Sequence, residues 1–124
     1  MQGLTIHQAA ETTGWSARML RYLERVGLVE APRSTGGYRM YAAGQLQRLR
    51  TLRELLARYQ LGPSDVAFAK RLRAEPALSD AVTHWLEAEP RRPESVPASE
   101  WLRFEQAKCQ RLLAASAAPA TTAA

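Results

Sequence analysis

Arg18, Arg21, Tyr22 and Arg25 stand at i, i+3, i+4 and i+7, the spacing that gathers side chains on one face of a helix. Leu20 and Leu23 fall on another side and can anchor the same helix to a core. A guanidinium group pairs with phosphates and reads guanine edges through a planar fork of donors, so a helix so furnished suits the major groove of double-stranded DNA. On an arbitrary surface helix the same residues would make only a solvated face. The setting decides between these two readings.

Upstream, Thr5-Ile6-His7-Gln8 has the form of a capping box, which opens a short helix expected to run to about Thr13. Gly14 supplies a tight turn, Ser16 is a good N-cap for the arginine-bearing helix through about Val26, and Gly27 fits the left-handed residue that ends it. Two short helices joined by a Gly-containing turn form a helix-turn-helix pattern. The turn-rich stretch 31–37 leads into Tyr38-Arg39-Met40-Tyr41, where residues alternate around Gly36-Gly37, and this predicts a small hairpin, or wing.

Helical periodicity returns from about Ala42 to Tyr59 through Leu46, Leu49, Leu52 and Leu56. Gly62 as cap, Pro63 at the first helical position and Asp65 at the third predict another helix reaching about Arg73. Leu78, Val82, Trp85 and Leu86 mark an amphipathic helix over 77–88. Pro90, Pro93 and Pro97 then enforce a linker. Ser99 is expected to cap a last helix, 99–115, with Trp101, Leu102, Cys109, Leu112 and Leu113 on its apolar face. The Ala/Thr-rich tail, 116–124, is expected to be disordered.

In order, spacing and length, residues 4–73 resemble the DNA-binding domain of the MerR family of bacterial transcription regulators. The likeness rests on Leu4-Thr5-Ile6, on Thr13-Gly14-Trp15-Ser16, on the run from Arg18 to Val29, and on Arg33-Ser34-Thr35-Gly36-Gly37-Tyr38-Arg39-Met40-Tyr41. The resemblance implies that Arg18, Arg21 and Tyr22 lie on a recognition helix and that Tyr38, Arg39 and Tyr41 hold the wing against the phosphate backbone. It further implies a homodimer on a near-palindromic operator, with DNA distorted so that promoter elements come into line for RNA polymerase. Leu23 stands where the family usually has an aromatic residue, and its smaller side chain is expected to remove one backbone contact. Ala42 and Ala43 replace capping and acidic residues, and Gln60 replaces a common glycine. Members of the family usually continue into one long helix that pairs with its twin. The prolines between 90 and 97 forbid such a helix here. The segment 99–115 is either a shortened substitute or a helix packed on its own domain; in the first case a chain ending at Pro90 should stay folded and bind a half-site.

Charge agrees with a polyanionic partner. The 124-residue chain has a net charge of +5, with twelve Lys/Arg against five Asp/Glu in residues 1–73 and five against seven thereafter. No stretch approaches the ~20 apolar residues of a membrane span, and nothing near Met1 has the form of a signal peptide, so a cytoplasmic protein with no membrane association is expected. Cys109 alone cannot supply several thiolates, and His7 and His84 lack second ligands at metal spacing, so no metal or other cofactor is expected. Cys109 is expected to behave as a small buried hydrophobe. Trp15, Trp85 and Trp101 read more readily as core than as a ligand pocket. No nucleophile-base set, phosphate loop or carboxylate pair points to an enzyme.

The expected fold is mostly α: a winged helix-turn-helix with a small β-hairpin wing plus C-terminal helices. It divides into a DNA-binding domain, 1–73, a helical region with a dimerising role, 74–115, and the tail. The candidate DNA-binding residues are Ser16, Arg18, Arg21, Tyr22, Arg25, Tyr38, Arg39 and Tyr41. The expected function is sequence-specific regulation at promoters. An excisionase-like recombination factor and a protein-interaction module are the alternatives.

Overall fold

The computed structural model describes residues 3–63 and 66–117. Helix α1, Ile6–Thr13, opens on the expected capping box: the Gln8 N–H donates to Thr5 Oγ1 at 3.2 Å and the Thr5 N–H to Gln8 Oε1 at 2.9 Å. It closes on Gly14 at φ 84, where a side chain would strike Leu113 and Arg53 within 3 Å. Helix α2, Ala17–Arg25, begins with Ser16 Oγ accepting from the Met19 N–H at 3.1 Å. The Gly27 and Leu28 N–H groups donate back to Glu24 O and Leu23 O, the paired closure that a left-handed residue allows. From the turn between α1 and α2, the Trp15 indole donates to Leu49 O at 2.9 Å and ties the helix pair to the next helix in the chain.

The expected hairpin is not formed. Among the described residues there is no strand, only two isolated antiparallel bridges, Arg33 with Arg39 and Leu4 with Tyr41. Around the first bridge, Ser34 N–H donates to Tyr38 O and Met40 N–H to Pro32 O, both at 2.8 Å. The ladder cannot grow from there. Pro32 has no N–H to return a bond to Met40. At the other end the Gly37 N–H takes Ser34 O, and the Tyr38 N–H turns to Ser34 Oγ instead.

Helix α3, Ala43–Ala57, buries Leu46, Leu49, Leu52, Leu55 and Leu56. Ala42 offers no capping side chain, but its own N–H donates to Gln45 Oε1 at 3.0 Å, half of a capping box. The following helix, α4, runs Phe68–Ala74 rather than from Pro63. Leu61 and Phe68 are both buried, and the described residues between them lie outside any helix, so tertiary anchoring overrides the local start signal; Asp65 lies outside the described residues. Helix α5, Pro76–Glu87, buries Leu78, Val82 and Trp85, whereas Leu86 is exposed.

The proline stretch is non-helical as expected, and it is also held. The Gln47 side-chain amide donates to Arg91 O at 2.6 Å and accepts from the Arg91 N–H at 2.7 Å, while Val96 is buried. A 3-10 turn, Ala98–Glu100, then leads into helix α6, Trp101–Ala117. Ser99 therefore sits inside that turn and caps nothing, and the helix runs two residues into the segment expected to be a disordered tail. Residues 118–124 of that tail lie outside the described residues. Helix α6 packs against α3 and α1 of its own chain and buries Glu105 and Cys109. Leu78, Val82 and Trp85 share one core with Trp15, Leu20 and Leu49, so α5, beyond residue 73, belongs to the same core as the helix pair. Among the described residues no helix is long and apolar enough to cross a membrane.

Candidate nucleic-acid interface

Helix α2 is held from below by Met19, Leu20 and Leu23, all buried. Leu23 is fully enclosed, so in this chain it is a packing position. With that side fixed, the periodicity of the helix leaves Arg18, Arg21 and Arg25 exposed. Tyr22 is half-buried between the two sides: its ring meets the buried Phe68 edge-on at 6.3 Å, and the Arg25 guanidinium lies 5.5 Å from its centroid. Ser16 is spent on the cap. Beside this face, Arg18, Met19, Tyr22 and Arg25 of α2 line a cleft of about 380 Å³ with Val66 and Ala69. Packing of Phe68 against Tyr22 thus sets α4 as the far wall of the basic face.

The loop residues divide. Tyr38 is 73% exposed at the tip, beside the left-handed Gly37. Arg39 is half-buried, and its Nε donates to Glu24 Oε1 at 2.6 Å. Tyr41 is only 1% exposed, so its ring is a core element and not a phosphate contact in this conformation. Burial raises the Tyr41 hydroxyl above the ordinary phenol range, and the nearby Glu24 carboxylate adds to that, against Arg39, Arg33 and Arg21, which lower it.

Sequence reasoning missed Glu24 and Arg33. Glu24 lies on α2; one carboxylate oxygen accepts from Arg39 Nε at 2.6 Å and the other forms an ion pair with Arg33 at 3.1 Å. The sequence holds an acidic residue one turn after Arg21, a signal too common to single out, and only the folded loop brings the two arginines to it.

Elsewhere several polar side chains tie the helices together. The indoles of Trp85 and Trp101 donate to Thr51 Oγ1 at 2.9 Å and Glu105 Oε2 at 3.0 Å, and the Arg48 guanidinium lies 4.3 Å from the Trp85 ring centroid. Burial pushes the Cys109 thiol up to about 11, so it is a neutral, enclosed group at ordinary pH. His7 and His84 are exposed. Among the described residues no three His, Cys, Asp or Glu side chains are grouped to hold a metal ion.

Residues 4–65, half of the chain, match the sequence profile of a family described as MerR HTH family regulatory protein. The HTH-type transcriptional regulator HmrR of Rhizobium leguminosarum bv. viciae is 39% identical over 49 residues, which are 40% of this chain and 38% of that protein. The likeness therefore spans well under half the length of that relative. No solved structure matches the chain.

Proposed function

The chain belongs to the MerR HTH family of regulatory proteins, and from that premise we propose that it is a sequence-specific, double-stranded-DNA-binding transcriptional regulator acting at promoters. The observation that carries this reading is the exposed face of α2. Three guanidiniums share one side of a helix whose opposite side is locked by Met19, Leu20 and Leu23. A helix held that firmly can present its donors to base edges without first being ordered, which is what sequence readout requires. In this reading Arg18, Arg21 and Arg25 enter the major groove, Tyr22 borders it, and Tyr38 with Arg39 meets the adjoining backbone.

Two copies on a near-palindromic site, and alignment of promoter elements for RNA polymerase, complete the reading. Both come from the family resemblance. Helix α6 lends no support to the pairing, since it packs against α3 and α1 of its own chain. The deformation is energetically within reach, because bending or untwisting a site costs on the order of 1–6 kcal/mol.

Selection from a randomised duplex pool, followed by genome-wide footprinting, tests the proposal. Enrichment of one sequence family, with footprints at promoters, is the expected result. Footprints confined to recombination attachment sites would replace the regulator with an architectural factor, and enrichment of no sequence would overturn sequence-specific binding altogether.

A further inference from the structure

We infer that Glu24 is a positioning residue for DNA recognition, which holds Arg33 and Arg39 together so that the 33–39 loop keeps a fixed angle to α2 and Arg33 becomes a further phosphate ligand. The inference rests on the DNA-binding reading above and assigns two residues that reading leaves out.

The backbone bonds of the loop tie its two arms to each other and not to α2. Its one bridge joins Arg33 to Arg39, and Pro32 and Ser34 stop any ladder on either side. Those same two residues are the ones Glu24 holds, one on each carboxylate oxygen, at 3.1 Å and 2.6 Å. A single side chain on the helix therefore clamps both arms of the loop. The geometry also leaves donors over. Each guanidinium carries five N–H groups, and Glu24 occupies only one nitrogen of each. The Arg33 side chain is 45% exposed, which leaves it free to meet a phosphate while still tethered.

A carboxylate on a DNA-facing helix otherwise has no purpose there. Taken alone it repels the backbone, and its loss would raise affinity for every duplex alike. Without it, however, Arg33 and Arg39 would be left as neighbouring like charges with nothing between them. Arg21 stands one turn away on α2, and the buried Tyr41 hydroxyl, which has no hydrogen-bond partner, lies in the field of all four charged groups. The two roles for Glu24 thus predict different things. Plain electrostatics changes affinity and leaves discrimination intact. Positioning changes discrimination.

The test compares two duplexes, the one the wild-type chain enriches from a randomised pool and a scrambled duplex of equal composition. Glu24→Gln should hold or gain affinity for the scrambled duplex and lose discrimination by about tenfold. In an Arg39→Ala background the same change should alter discrimination by less than about twofold, because Glu24 then has one arm left to hold. Arg33→Ala should reduce the salt slope by about one, as loss of a phosphate contact does. Thermal unfolding checks each variant, and Glu24→Asp, which keeps the charge on a shorter arm, should fall between wild type and Glu24→Gln. An unchanged ratio in Glu24→Gln and Glu24→Asp, or an unchanged salt slope in Arg33→Ala, would overturn the inference while wild-type selection stands. A wild-type chain that enriches nothing would overturn it together with the parent reading.

Discussion

Glu24 and Glu105 each gather basic or polar donors around one carboxylate, yet they sit in opposite surroundings. Glu24 is 22% exposed at the rim of the α2 face and holds a loop that has no ladder of its own. Glu105 is fully buried in the α3–α6 seam and accepts from Arg50 at 3.1 Å, Gln47 at 3.2 Å and the Trp101 indole at 3.0 Å. Burial would lower the Arg50 guanidinium's proton affinity, but Glu105 and then Glu54 outweigh it and leave it raised. The same chemistry serves two ends. Near water, a carboxylate–arginine pair adds little stability and mainly sets direction. Out of water, it is costly to break, because the surviving charge has nowhere to go.

The largest test of this contrast removes one side of it. A chain ending at Pro90 loses α6, leaves Arg50 without Glu105 and uncovers the α1 and α3 surfaces that α6 covers. Such a chain is expected to lose its cooperative thermal transition, contrary to the sequence-based expectation that it would stay folded. Circular dichroism decides it: a sharp transition near that of the full chain would show that α6 is an appendage. A finer cut is Glu105→Ala, which leaves the largely buried Arg50 with only the half-exposed Glu54 as its carboxylate partner. It should destabilise by about 3–5 kcal/mol in denaturant titration, whereas Glu24→Ala at the rim should be close to neutral. Equal costs would erase the contrast.

How far the sequence reached obeys the same division. The helix-turn-helix was legible because its signals are local: Thr5 with Gln8, Gly14, Ser16 and Gly27 each meet a backbone need within four residues. The arginine face came from periodicity alone. Signals that depend on distant partners were not legible. The hairpin failed because a ladder needs returned bonds, and Pro32 and Ser34 withhold them. Tyr41 read as a contact because a tyrosine in a loop gives no sign of being buried, and Glu24 and Arg33 were silent because their pairing crosses a turn. The start of α4 was misplaced where local capping and the burial of Phe68 disagree, and burial prevailed.

Alkaline pH should act on the seam before the face. The Cys109 thiol titrates near 11 when folded, against about 8.5 for a free thiol. The folded state therefore holds the proton more tightly. Its contribution is complete below the free value and is lost as pH rises from there toward 11, about 3 kcal/mol in all. Unfolding free energy measured from about pH 8 to 11 should fall more steeply in wild type than in Cys109→Ala. The raised Tyr41 hydroxyl adds a loss of the same sign at higher pH, and that part should persist in the variant. Parallel pH profiles would mean that Cys109 is not sealed by the seam.

On the exposed side, Arg18→Ala should leave unfolding unchanged and relax specificity at one base position by about 1–3 kcal/mol. Arg21→Ala should weaken binding without unfolding the chain. Competition binding against single-base variants of the selected duplex separates the two. A uniform loss across all variants in Arg18→Ala would make Arg18 a phosphate contact and not a reader.

The smallest effect belongs to Gln60, which lies in neither cluster and so serves as a control on both. It closes α3 in a left-handed conformation, φ 57, with its N–H donating to Ala57 O at 3.1 Å and that of Leu61 to Leu56 O at 3.0 Å. A side chain in that region costs about 1–2 kcal/mol from contact between Cβ and the following carbonyl. Glycine escapes this cost but loses more freedom on folding, so the gain is partial. Gln60→Gly should therefore stabilise the chain by about 0.5–1 kcal/mol. Its exposed amide makes only a long 3.5 Å contact to Arg58 O, so little is lost with it. Because α3 is the helix on which both α1 and α6 rest, the variant should raise the unfolding midpoint and leave DNA affinity unchanged. A shift in affinity without a change in stability would show that the end of α3 reports to the α2 face, and that the buried and exposed clusters are coupled through it.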